Sequence, residues 1–300
     1  MPELTASQIA DLRALRDHCV ALGADLVIIG AIAYQVHFPG ELRHTGDIDF
    51  AVALDLNEFA ELERRLQLDG WIQFANREHR WRSAQGTIMD LLPAGPKLRE
   101  AKQVTWPISQ FTMSLVGFEH VFTGAQPVEF SPDLTLRVIS STALMLLKIV
   151  AFMDDPQRRV KDLDDIQGLL TQYEADSERL FSDVVIDAGL ADFGLATAFL
   201  LGIDLRGLCT LEEAEIVNAF LAAMNENNPA WMSFVRARGV GDHVEEDARA
   251  QLGAFHQPFS PMCCASSSSP PLFFSTFQPR PSPQEKTAGR GIHRRCSRRS

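Results

Sequence analysis

Thr45-Gly46-Asp47-Ile48-Asp49-Phe50-Ala51-Val52 is the stretch that decides the fold. Its β-branched and aromatic residues read as a strand, and side chains on a strand alternate between its two faces. Ile48 and Phe50 therefore point into a core while Asp47 and Asp49 share the opposite face. Two carboxylates so close repel unless a cation neutralises them, and hard oxygen donors of this kind suit Mg²⁺ or Mn²⁺. A solvated strand edge is the plain alternative.

Working outward, the upstream run Asp25-Leu-Val-Ile-Ile-Gly30 reads as a short apolar strand ending in glycine, and Ala31 to His37 begins a helix. Gly30 at such a strand-to-helix turn brings backbone N–H groups and a helix N-terminus to a triphosphate. Downstream, Leu56–Leu68 is an amphipathic helix closed by Asp69-Gly70, and Trp71 to Ala75, Thr87 to Leu92 and Val128 to Phe130 supply further strands. Within Thr87-Ile-Met-Asp90-Leu-Leu92 an acid interrupts an apolar strand, where an unpartnered carboxylate is costly. If this strand lies beside the first, Asp90 completes a three-carboxylate cluster able to hold two cations for phosphoryl transfer. A helix over 7–22 precedes these elements. From Ser140 onward the strand signals vanish, and helices are expected over 141–152, 160–173, 177–188, 191–201 and 211–225. The expected architecture is α+β: a short mixed sheet with flanking helices over residues 1–135, then a helical domain over 136–256.

The 300 residues are 46% hydrophobic, enough for a sizeable core. The longest apolar stretch, Val27 to Tyr34, is far shorter than the roughly 20 residues of a membrane-spanning helix. The N-terminus lacks a signal-peptide pattern, so a cytoplasmic location without membrane contact is expected. Cysteines at 19, 209, 263, 264 and 296 have no paired spacing for a disulfide framework or a zinc site. Residues 257–300 hold seven of the 28 Lys and Arg but one of the 39 Asp and Glu, so this segment carries +6 and the rest −17. Its proline and serine density predicts a disordered basic tail. An acidic body excludes broad electrostatic binding of nucleic acid and leaves local basic patches or a metal to do that work.

Gly30, the Asp47/Asp49 pair and Asp90, in that order and on those elements, resemble the minimal nucleotidyltransferase domain of the DNA polymerase β superfamily. Ile29-Gly-Ala-Ile-Ala-Tyr-Gln-Val-His37, Arg43-His-Thr-Gly-Asp-Ile-Asp-Phe50 and Lys161-Asp-Leu-Asp-Asp-Ile166 resemble more closely the nucleotidyltransferase toxins of abortive-infection toxin–antitoxin systems, over roughly residues 20–172. The resemblance implies a nucleotidyltransferase fold followed by a helical domain. It further implies Mg²⁺ or Mn²⁺ on Asp47, Asp49 and Asp90, and a nucleoside triphosphate donor. The nucleotide goes to a hydroxyl acceptor, RNA such as a tRNA 3′ end or alternatively a protein hydroxyl, with an antitoxin protein as partner. Two departures stand out: Ala31 occupies the place of a second Gly or Ser, and Asp155 stands where the toxins carry an arginine, with Arg158 and Arg159 displaced past Pro156. They keep open a non-catalytic nucleotide-binding or partner-binding module on the same fold.

The resemblance also gives roles to isolated charges. Lys148, one cation in the apolar helix Leu144 to Ala151, either snorkels or faces a cleft and binds triphosphate. Asp162 and Asp165, three apart, share a helix face. They read either as N-terminal helix acids or as groups orienting Lys148, the acceptor and the domain contact. Together with Gly30 and Ala31, the expected nucleotide-binding set is Arg43, Lys148, Asp162 and Asp165. His37 and His44 flank the loop before the acid pair. Arg77, Arg80 and Arg82 around Trp81 read either as an RNA-stacking patch or as a hairpin with solvated arms.

Overall fold

Each strand of the first half is followed by a turn residue and then by a helix or a returning strand, and the computed structural model, which describes residues 4–39, 45–239 and 241–260, folds accordingly. Helix α1 (Ala6–Ala21) starts at Thr5, whose hydroxyl accepts the Gln8 N–H while the Gln8 side chain accepts the Thr5 N–H, a reciprocal cap that satisfies two otherwise orphaned donors. Strand β1 (Leu26–Ile29) runs straight into α2 (Gly30–His37). Then come β2 (Ile48–Val52), α3 (Leu56–Leu68), β3 (Ile72–Phe74), β4 (Arg77–Arg82) and β5 (Ile88–Pro93). After α4 (Pro96–Ala101) a separate hairpin forms from β6 (Gln103–Thr105) and β7 (Thr112–Ser114), followed by α5 (Phe118–Thr123), β8 (Gln126–Ser131) and β9 (Leu134–Val138).

Seven of these strands form one sheet in the order β3-β4-β5-β2-β1-β9-β8. The pairs β2/β5 and β1/β9 are parallel and the others antiparallel, so the sheet is mixed. Ile48 and Phe50 are buried as their alternation requires, among Val27, Ile28, Val52 and Leu91. Leu12, Leu15, Leu62 and Leu66 of the paired helices α1 and α3 extend that core.

The second half is helical: α6 (Ser141–Asp154), α7 (Asp162–Gln172), α8 (Asp183–Ile186), α9 (Ala196–Leu208), α10 (Leu211–Ala223), α11 (Pro229–Arg238) and α12 (Val244–His256). Ser140 caps α6 by accepting the Ala143 N–H at 3.2 Å. The helix packs on α7, α9 and α10 and also on α2, which joins the two halves. A second contact between them is close at Gly168 of α7, where an added Cβ would lie 1.8 Å from the Tyr34 hydroxyl of α2. Only glycine admits that approach.

Four sequence expectations shift. The sheet half extends past residue 135, because Leu134–Val138 is the strand β9 beside β1 and the helices begin only at Ser141. The helix expected over 177–188 is a 3₁₀ turn, Glu178–Phe181, and then the single turn α8, since Ser182 takes up extended backbone between them. The helix expected over 191–201 begins at Ala196, after a turn in which Asp192 accepts the Gly194 N–H, and continues to Leu208. Packing also continues beyond Gln257, through a 3₁₀ turn whose Phe259 is buried against Phe255. The remainder of the expected tail, 261–300, lies outside the described residues. Among the described residues no helix is long and apolar enough to cross a membrane.

Candidate functional site

Strand register assembles the site. Ile29 of β1 pairs with Asp49 of β2, Asp49 pairs with Asp90 of β5, and Asp90 pairs with Arg80 of β4. Residues directly opposite on neighbouring strands project from the same face, so Asp49, Asp90 and Arg80 stand side by side at the level where β1 gives way to α2. The third carboxylate follows from the period of two along β2: Asp47 precedes the strand by one residue and shares the face of Asp49. Thr45 holds it by donating its hydroxyl to Asp47 Oδ1 at 2.9 Å.

Arg80 bridges the acids. Its Nε and Nη2 donate to Asp90 Oδ1 and Oδ2, each at 2.7 Å, and Nη2 also donates to Asp47 Oδ2. The bidentate fork explains how Asp90 is buried to 8% exposure in an apolar strand. Asp49 is treated differently: burial first, and then the negative charges of Asp90 and Asp47, push its carboxyl up to about 6. The nearby cations Lys148 and Arg159 oppose that rise without cancelling it. In donor chemistry this set of clustered carboxylate oxygens fits a hard divalent cation. In spacing, among the described residues, no group of three or more His, Cys, Asp and Glu stands ready to enclose a metal, and the guanidinium is the cation that lies between Asp47 and Asp90.

Gly30 is required where it stands. Its φ is +68°, and an added Cβ would lie 2.1 Å from Asp49 Oδ2. Both the backbone and the neighbouring acid exclude any side chain there. Ala31 follows on the first turn of α2 and is buried. From the helical half, Lys148 of α6 reaches the same cleft with its Nζ 2.7 Å from both Asp162 Oδ1 and Asp165 Oδ2 of α7. All three are nearly or fully buried. Lys148 therefore does not snorkel, and Asp162 and Asp165 do share a face, while Asp164 is exposed. Arg159 approaches Asp162 at 3.4 Å, and the exposed Arg158 approaches Asp155 at 3.7 Å. Gly30, Asp49, Asp90, Lys148, Arg159 and Asp162 line one cleft of about 720 Å³. Arg43 and His44 lie outside the described residues. His37 is turned away to the Ile139 carbonyl at 2.6 Å, and burial holds its pKa below the ordinary value.

The basic interlude around Trp81 is not an RNA-stacking patch. Trp81 is fully buried in the core and Arg80 is committed to the acids, whereas Arg77 and Arg82 are exposed. Sequence reasoning missed the role of Arg80 and missed two aromatic groups beside it. The His79 ring lies 5.8 Å from Trp106, and its Nε2 lies 4.0 Å from Asp90 Oδ2. The available signal for Arg80 was its distance of ten residues from Asp90 across an intervening Gly86 turn, which fits an antiparallel hairpin.

A family model described as "Nucleotidyl transferase AbiEii toxin, Type IV TA system" matches residues 13–237. No curated protein matches the chain. Among solved structures, an antigenic nucleotidyltransferase-like protein from Paracoccidioides brasiliensis is 13% identical, with 68% of this chain and 93% of that chain covered and a TM-score of 0.38. JHP933 from Helicobacter pylori is 13% identical over 86% of this chain and 93% of its own, with a TM-score of 0.36. The antibiotic-resistance factor ANT(2'')-Ia is 13% identical over 55% and 83%, also with a TM-score of 0.36.

Proposed function

The chain belongs to the AbiEii family of nucleotidyltransferase toxins of type IV toxin–antitoxin systems, and on that premise we propose that it transfers a nucleoside monophosphate from a nucleoside triphosphate to a hydroxyl of RNA, such as a tRNA 3′ end. The observation that carries this reading is the cross-strand row of Asp49 and Asp90, joined by Asp47, in one cleft with Lys148. Asp47, Asp49 and Asp90 would hold Mg²⁺ or Mn²⁺, which when bound neutralises the acids and eases ionisation of an attacking hydroxyl.

The chain's own residues supply the rest. Gly30 lets backbone come close to Asp49, and the α2 amides that follow favour phosphate oxygens. Lys148, held by Asp162 and Asp165, places a point charge for the triphosphate, and Arg159 adds a second at the cleft wall. Asp90, on the acceptor side, takes the proton of the attacking hydroxyl as that oxygen bonds to the α-phosphorus and pyrophosphate leaves. Type IV membership further supports an antitoxin protein as partner.

The test is incorporation of labelled nucleoside triphosphates in a cell extract with Mg²⁺, followed by ribonuclease or protease. Wild-type protein is expected to give label that ribonuclease removes, and Asp49→Ala to give none while keeping a native circular dichroism spectrum. Label lost only on proteolysis would move the acceptor to a protein hydroxyl, and undiminished transfer by Asp49→Ala would remove the acid cluster from the mechanism.

A further inference from the structure

The wall of the cleft on the Asp90 side is aromatic, and it is built to be so. The β6–β7 hairpin closes through Trp106 N–H to the Phe111 carbonyl at 2.9 Å and Gln110 N–H to the Trp106 carbonyl at 3.0 Å. Its tip is fastened to β4 by Glu78, whose carboxylate accepts the Ile108 N–H at 2.9 Å, the Ser109 N–H at 2.8 Å and the Ser109 hydroxyl at 2.6 Å. Three successive residues of β4 thus divide the labour: Glu78 fixes the hairpin, His79 lies against Trp106, and Arg80 holds Asp90.

Trp106 is 3% exposed and sits edge-on to Phe59 with ring centres 6.3 Å apart, so it backs the wall without offering a face to a ligand. Phe111 is the opposite case. It is 57% exposed, yet it lines the same cleft as Asp49, Asp90 and Lys148. A phenyl ring left in water beside a charged cleft floor, on a hairpin anchored by three hydrogen bonds, offers a flat apolar face at a fixed place. A planar, sequence-tolerant ligand matches it, because every nucleobase has a π-face that stacks on an aromatic side chain.

We propose that Phe111, in the cleft it shares with His79, is the platform for the base of the acceptor's terminal nucleotide. This rests on the reading of Asp90 as the acceptor-side acid. His79 is what assigns the wall to the acceptor: its ring connects Trp106 to Asp90, whereas the charges suited to the donor triphosphate, Lys148 and Arg159, come from the helical half. A nucleotide stacked there has its ribose in the cleft that Asp90 also lines. A seryl or threonyl acceptor would bring no flat ring to this place, so the platform favours RNA over those protein hydroxyls.

The experiment measures fluorescence anisotropy of a short 5′-fluorescein-labelled single-stranded RNA with wild-type, Phe111→Ala and Phe111→Trp proteins in Mg²⁺. It is repeated with the same RNA carrying an abasic 3′-terminal residue, and nucleoside triphosphate affinity is measured separately. Phe111→Ala is expected to weaken binding of the intact RNA on the order of 10- to 100-fold, the loss of one stacked base. Phe111→Trp restores it, and the abasic RNA binds the wild-type and Phe111→Ala proteins alike, with triphosphate affinity unchanged. Equal wild-type affinity for intact and abasic RNA overturns the proposal and leaves the transferase reading standing. Loss of triphosphate affinity with RNA affinity intact also overturns it, by assigning the platform to the donor. A wild-type protein that binds no RNA but labels protein overturns both this proposal and the RNA acceptor.

Discussion

Replacing Arg80 with methionine keeps most of its length and removes its charge. In the wild type its guanidinium bridges Asp90 and Asp47, with side chains 20%, 12% and 28% exposed respectively. Removing one partner of a buried pair costs about 3–5 kcal/mol because the other charge stays buried. Partial exposure places this site at the low end, about 3 kcal/mol, which for a body of this size lowers Tm by about 6–12 °C. A divalent cation opposes that loss. At about 100 times its Kd it returns about 2.7 kcal/mol to a protein with a preformed site, so Mg²⁺ is expected to restore most of the lost Tm in Arg80→Met. In the wild type Mg²⁺ has to displace the guanidinium from Asp47 and Asp90, and the gain is smaller. Differential scanning calorimetry of both proteins with Mg²⁺ and with EDTA reads the difference. Arg80→Lys, which keeps the charge and loses the bidentate fork, is expected in between. The reasoning is refuted if Arg80→Met melts within about 2 °C of wild type in EDTA, or if Mg²⁺ stabilises both proteins equally.

Two further outcomes follow from buried charges away from the acid row. Lys148→Met leaves Asp162 and Asp165 in the interior without their shared ammonium, and should destabilise by about 3–5 kcal/mol. Lys148→Met/Asp162→Asn/Asp165→Asn should recover part of that, and urea unfolding of the two variants compares them. For Glu213, burial opposes ionisation, but hydrogen bonds from His120 and the Thr210 N–H outweigh it and hold the carboxyl at about 2 against its ordinary 4.5. A folded pKa below the unfolded one gives stability that is present above pH 4.5 and lost as pH falls towards 2. Glu213→Gln is therefore expected to cost up to about 3 kcal/mol at pH 7 and only about 0.4 kcal/mol at pH 2. A urea-midpoint series against pH that runs parallel for the two proteins would contradict this.

The parts legible in the sequence are those governed by local periodicity. The alternation in Ile48-Asp49-Phe50 fixed which side chains face the core, and the helix Leu56–Leu68 ends at the Asp69-Gly70 stop. The isolated acid in Ile88–Pro93 announced a partner. What was hidden depends on pairing between distant segments. Arg80 looked like one of three solvated arginines because only the β4/β5 register places it opposite Asp90. Leu134–Val138 alternates buried Leu134, Leu136 and Val138 with Thr135 and Arg137, but its place beside β1 is reached by a parallel crossover that no local pattern signals. The aromatic wall was hidden for the same reason: Glu78 and Ser109 are thirty-one positions apart and meet only through the fold. Helices α11 and α12 went unread because the glycines at 239 and 241 interrupt a weakly apolar stretch between them.

The row Ile29, Asp49, Asp90, Arg80 makes the candidate site depend on phase and not on length. Each of its members is set by strand pairing, so the loops between the strands can lengthen or shorten at the surface without moving Asp49 or Asp90. A slip of one residue in β5 is another matter: it brings Met89 or Leu91 opposite Asp49 and turns Asp90 into the core. Such a protein would keep its composition and its helices, but it would turn the fully buried Met89 and Leu91 out of the core while losing the whole constellation. Insertions and deletions in this chain therefore divide sharply. Those in turns that carry no residue of the site leave the row in place, and a single codon gained or lost inside β2, β4 or β5 dismantles it.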